Sequence, residues 1–207
     1  MNVDPVTTPH RCSTSLQVFV RPLRYLVLAV LVVAAIPAAR AVELRPGNVY
    51  PLTFTDVDQD QLSTSDGHVT IITVVTAKDE QKAKMVGDRF PRVYLGDPRY
   101  RLVMVVNFQQ KIFLPFRGIV AAVIRHRLDA EAKALQQIYA AKHINRNPRY
   151  DIFVVADFDG KIVSQLNIAP TSTEFAVFAF DGRGRLVRRW NDVPSADALT
   201  AAINEAR

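Results

Sequence analysis

Three groups of residues in this chain have side chains that could do chemistry, and each lacks something that chemistry requires. The run Thr76-Ala-Lys-Asp79-Glu-Gln-Lys82 follows a β-branched stretch and opens a helical one. A helix start presents unpaired amides and a positive dipole, which would activate a thiolate. Yet the chain holds a single cysteine, Cys12, far upstream of that place. Thr76 and Asp79 have instead the spacing of a capping box, with the Thr76 hydroxyl accepting from the Asp79 amide and the carboxylate reaching back. Asp56-Val-Asp58-Gln-Asp60 begins like a calcium loop, but Gln61 stands where that loop needs glycine and Gly67 where it needs a bidentate glutamate. A solvated turn is expected there. His68, His126 and His143 are scattered, and His126 sits between Arg125 and Arg127, where a cation is disfavoured. No Gly-x-Ser-x-Gly elbow and no His-Glu-x-x-His helix is present. No cofactor and no metal are therefore expected.

Two further patches suggest surfaces rather than reactions. Arg183, Arg185, Arg188 and Arg189 lie beside Trp190 and predict a basic edge. Such an edge suits an anionic surface or an acidic envelope partner, or simply deters edge-to-edge pairing. The connection 108–118 carries Phe113 and Phe116 and is rich in apolar residues. It is expected to pack over the sheet or to form a recognition surface. The candidate ligand or partner residues are thus Asp79, Lys82, Phe113, Phe116, Arg183, Arg185 and Arg188.

The elements that must position these residues begin after an export pattern. Arg11, Arg21 and Arg24 precede an apolar run over 25–38, followed by Ala39-Arg40-Ala41. A basic start, an apolar stretch of 14 residues and an A-x-A site predict a secretory signal over 1–41, cleaved after Ala41. The rival reading is an inner-membrane anchor over 25–38, but a helix of that length rises only about 21 Å against a hydrocarbon core of about 30 Å. Cys12 would be lost with the signal, or left on the cytoplasmic side of an anchor. Periplasmic or secreted localisation is the expectation, with contact to a membrane only through an uncleaved signal segment.

The formal charge of the whole chain is +6. Residues 1–41 hold four of its 26 bases and one of its 20 acids, which leaves 42–207 with a net of +3. That is too little to support nucleic-acid binding. Residues 42–207 are long enough for one domain with a substantial core.

Within that domain, 42–66 reads as turn-rich with one short apolar piece at 52–54. Strands buried on both faces are expected at 68–76, which is β-branched nearly throughout, and at 100–108 and 151–156. Helices are expected at 78–90 and, from Val120 onward, across Ile124, Leu128, Leu135 and Ile138, with Asp129 able to divide the second into two. Asp181-Gly-Arg-Gly184 predicts a hairpin between strands at 175–180 and 185–190. Ser195 is expected to cap a last helix with Leu199 and Ile203 inward.

This order resembles the thioredoxin fold, and two stretches resemble its exported redoxin-type branch of thiol-disulfide proteins and peroxiredoxins. One is Leu44-Arg-Pro-Gly47-Asn-Val-Tyr-Pro51-Leu-Thr-Phe-Thr-Asp56; the other runs from Phe158-Asp-Gly160-Lys-Ile-Val through Ala169-Pro170-Thr to Phe180-Asp-Gly-Arg-Gly-Arg-Leu-Val187. The resemblance implies an α/β domain with a thioredoxin-like central mixed sheet and helices on both faces. It also implies redox cysteines near Asp79 and Lys82, where this chain has none, and a cis-proline near Glu174 or Phe175, some residues past Pro170. A non-redox, binding or accessory protein of the cell envelope is the function these departures imply. An oxidoreductase relative with thiol-independent or Cys12-dependent chemistry is the alternative.

Overall fold

The computed structural model describes residues 44–108 and 115–207. Strand β3, Val69–Val75, is made of Val, Thr and Ile alone and is buried at every position. Such residues suit a strand covered on both sides. It lies in the middle of a five-stranded sheet of order β5 (Ile152–Asp157), β4 (Tyr100–Asn107), β3, β6 (Ala176–Phe180) and β7 (Leu186–Trp190). Strands β4 and β5 run parallel to it, with Val69 opposite Tyr100 and Leu102 opposite Ile152. Strands β6 and β7 complete the other half antiparallel, with Thr70 opposite Phe180. Three parallel strands joined through helices, then an antiparallel hairpin, make a thioredoxin-like mixed sheet.

The pleat sorts the core into two faces. Ile72, Val74, Val103, Val105, Phe178 and Phe180 face one side with Val163 and Leu166 of helix α3, Lys161–Gln165, and its C-terminal cap. Ile71, Val75, Val177 and Ala179 face the other, under Ala83 and Val86 of α1 (Glu80–Arg89) and Leu199, Ala202 and Ile203 of α4 (Ala196–Glu205). Helices therefore cover both faces. Phe178 and Phe180 are wholly buried, each stabilising the fold by about 1.5–3 kcal/mol over an exposed ring.

Helix α2, Arg117–Ala141, is continuous for 25 residues. Asp129 does not divide it. Its carboxylate lies in mid-helix and accepts from Arg149 Nε at 3.1 Å, so it competes for no backbone amide. Leu128 packs with Val57 and Val154, and Tyr139 is fully buried with its hydroxyl donating to Asp151 at 2.8 Å.

The amino-terminal segment holds more structure than its turn-rich composition suggests. Strands β1 (Thr53–Thr55) and β2 (Gln61–Ser63) pair as a hairpin whose Phe54 and Leu62 enter the first core face. Only one side chain of each three-residue strand is buried, too short a pattern to show a period. Asp181 clamps the β6–β7 turn, accepting from the amides of Arg183 at 2.9 Å and Arg185 at 2.8 Å, while Gly184 takes φ +81°. Ser195 accepts the Ala198 amide at 3.1 Å, the expected cap of α4.

Candidate site at the carboxyl edge of the sheet

In open α/β sheets ligands bind beyond the carboxyl ends of the parallel strands. Here Thr76 directly follows β3, and β4 and β5 end in Asn107 and Asp157, all three buried. Thr76 donates through its amide (2.9 Å) and its hydroxyl (2.7 Å) to one oxygen of Asp79. The expected capping box is thus half present. The carboxylate reaches back, but the Asp79 amide goes to the Thr76 carbonyl at 3.0 Å rather than to the hydroxyl. Helix α1 begins one residue later, at Glu80, and Asp79 makes no side-chain bond to its first amides. The reason is competition: the same carboxylate cannot face both Thr76 and the helix start.

Lys82, one turn on, forms an ion pair with Asp192 at 3.0 Å and stands 5.1 Å from the centre of the Phe175 ring. Its hydrogen bond to Asp192 holds that carboxyl below the usual carboxylate range, helped by the Val193 amide. Phe175 is 4% exposed just before β6, in the stretch where the resemblance places a cis-proline. No cis peptide bond occurs among the described residues. Asn107 donates to the carbonyls of Pro170 at 3.1 Å and Ser172 at 3.4 Å, fixing the adjoining loop. Asp157 accepts the amides of Gly160 at 2.9 Å and Val163 at 2.8 Å. Burial pushes its carboxyl above the ordinary value even though those amides favour the charge. Asn107 and Asp157 escaped the sequence reading, although each is a polar residue closing an apolar strand.

The acidic turn differs from the solvated one expected. Asp56 is 4% exposed and accepts the amides of Asp58 and Asp60, both at 2.9 Å. Burial raises its pKa, and the charges of Asp58 and Asp60 add to that. Beside it lies a cavity of about 400 Å³ lined in part by Asp58, Asp129, Arg125 and Arg149. Arg149 bridges Asp58 (2.5 Å) and Asp129 (3.1 Å), and Arg125 donates to the Val57 carbonyl at 3.3 Å. Among the described residues no group of three or more His, Cys, Asp or Glu is arranged to hold a metal. His68 belongs to a buttress: its Nδ1 is 2.7 Å from Asp66 and 2.9 Å from Arg101, and Arg101 itself is 8% exposed. Burial opposes ionisation of Asp66, yet His68 and Arg101 outweigh it and hold the carboxyl low.

The predicted basic edge is real in sequence but largely neutralised. Arg185 pairs with Asp181 at 2.8 Å, Arg188 with Glu205 at 3.2 Å, and Arg189 with Glu174 at 2.6 Å. Arg183 is exposed on the turn. Phe116 precedes α2 and is 54% exposed; Phe113 lies outside the described residues, as do Cys12 and the export pattern. Asp79 and Lys82 thus share one junction, while Phe116 and the arginines belong to other elements.

No family model matches this chain, and no curated protein matches it. Among solved structures it is similar to the pneumococcal exposed lipoprotein thioredoxin Etrx1 of Streptococcus pneumoniae strain TIGR4. That match has 13% identity, covers 75% of this chain and 98% of the other, and has a TM-score of 0.46. A peroxiredoxin-like protein from Aquifex aeolicus matches at 15% identity over 80% of this chain and 90% of its own, with a TM-score of 0.47. StoA from Bacillus subtilis matches at 12% identity, 76% and 98% coverage, and a TM-score of 0.43. Strand order and pairing alone define the fold as thioredoxin-like, in a chain with no Cys-x-x-Cys pair. No helix among the described residues is long and apolar enough to cross a membrane.

Proposed function

We propose that this chain is an exported thioredoxin-like protein that acts by binding, as an accessory protein of the cell envelope, and not by thiol exchange. One observation carries the reading. At the edge where this fold would do chemistry, Thr76, Asn107 and Asp157 each have a polar partner within the chain, and no cysteine is present. A scaffold whose edge is hydrogen-bonded to itself, without a nucleophile, holds a partner more readily than it transforms one. The basic start and apolar run before Ala41 support export. The test is disulfide reduction of insulin by dithiothreitol with the purified chain added. Turbidity is expected to rise at the rate of the reagent alone, and clear acceleration overturns the reading. Repeating the assay with Cys12→Ser separates the rival: acceleration lost in that variant assigns the activity to Cys12.

A further inference from the structure

We infer that the first half of α2 docks on an anionic phospholipid surface. This goes beyond the proposed binding role and departs from the expectation that only residues 25–38 reach a membrane. Phe116, Ile119 and Val123 are 54%, 66% and 53% exposed, and their spacing of three and four puts them on one side of the helix. Leu128, Ala132 and Tyr139 point to the core, and the outward row joins no core cluster among the described residues. The same side continues one turn further into His126 and Arg127, both exposed, and Arg117 is exposed at the helix start. No Asp or Glu occurs anywhere from 98 to 128.

Charge decides the occupant. Arg185, Arg188 and Arg189 on the other basic surface are paired with acids of this chain. Arg117 and Arg127 make no ion pair among the described residues. A second copy meeting this patch through a two-fold axis would set cations against cations. Three apolar side chains spread along about 10 Å of helix are also far from the roughly 800 Å² per partner of a stable protein interface. A bilayer asks for less. An apolar stripe sinks to the headgroup boundary while flanking arginines meet anionic lipid, each worth about a factor of five in affinity.

The test uses the full chain in a Cys12→Ser background, with Val123→Cys labelled by an environment-sensitive nitrobenzoxadiazole fluorophore. Ser65→Cys on the exposed β2 side carries the same label as a control. Vesicles are equimolar phosphatidylglycerol and phosphatidylcholine, or phosphatidylcholine alone. Expected is a severalfold gain and blue shift at position 123 on the anionic vesicles, absent at position 65. At sub-saturating lipid Arg127→Ala should cut that gain about fivefold. Four results overturn the inference: no gain at 123, an equal gain on phosphatidylcholine, an equal gain at 65, or a gain that follows protein concentration without vesicles. The third reports capture through residues 25–38 alone, and the fourth self-association.

Discussion

Helices α4 and α2 both pack against the sheet face that carries Met104 and Val106, yet they use their residues in opposite ways. Helix α4 has ten residues, is capped by Ser195, and seals Leu199, Ala202 and Ile203 at no more than 1% exposure. Helix α2 has 25 residues and buries only Leu128, Ala132 and Tyr139, all in its middle and far end. Its first ten positions keep Ile119 and Val123 in solvent. One helix is committed to the core throughout. The other is anchored at Leu128 and Tyr139 and carries ahead of them a segment whose outer side stays in solvent, so length and stabilisation are uncoupled in this fold.

Three substitutions test that contrast by denaturant unfolding. Ile203→Ala opens a cavity in the sealed side and should cost about 2–5 kcal/mol; a loss under 1 kcal/mol would mean that α4 is not the keystone its burial implies. Tyr139→Phe removes the hydroxyl bond to Asp151, which keeps Arg146 at 2.9 Å. A loss of about 1 kcal/mol is expected. An unchanged midpoint would show that the anchor of α2 is apolar alone. Val123→Ser should change stability by no more than about 0.5 kcal/mol, as for an exposed position without partners. A larger loss would place Val123 in the core and erase the difference between the helices.

The strands were legible because buried parallel strands are written in β-branched runs, and β3 is such a run without exception. The β6–β7 turn and the Ser195 cap were legible because Asp, Gly and Ser at those positions act on their own backbone within a few residues. What failed depended on partners distant in sequence. Asp129 looked like a cap until Arg149, twenty residues on, engaged it. The arginines of β7 looked like a basic surface until Glu174 and Glu205 met them across the fold. Asp56 looked solvated because nothing local announces that the hairpin folds it inward. At the candidate site the missing thiol and the backward reach of the Asp79 carboxylate were plain from sequence, whereas the turn of the Asp79 amide to the Thr76 carbonyl instead of the hydroxyl needed coordinates.

Gly160 sits at φ +75°, and a Cβ there would lie 2.3 Å from the Pro170 side chain. Pro170 in turn offers its carbonyl to Asn107 at the end of β4. A single hydrogen atom in place of a methyl group therefore sets how closely the 169–173 loop can settle beside the tip of the sheet. Any larger residue at 160 would lift that rim, so its contour is decided by a residue that has no side chain of its own.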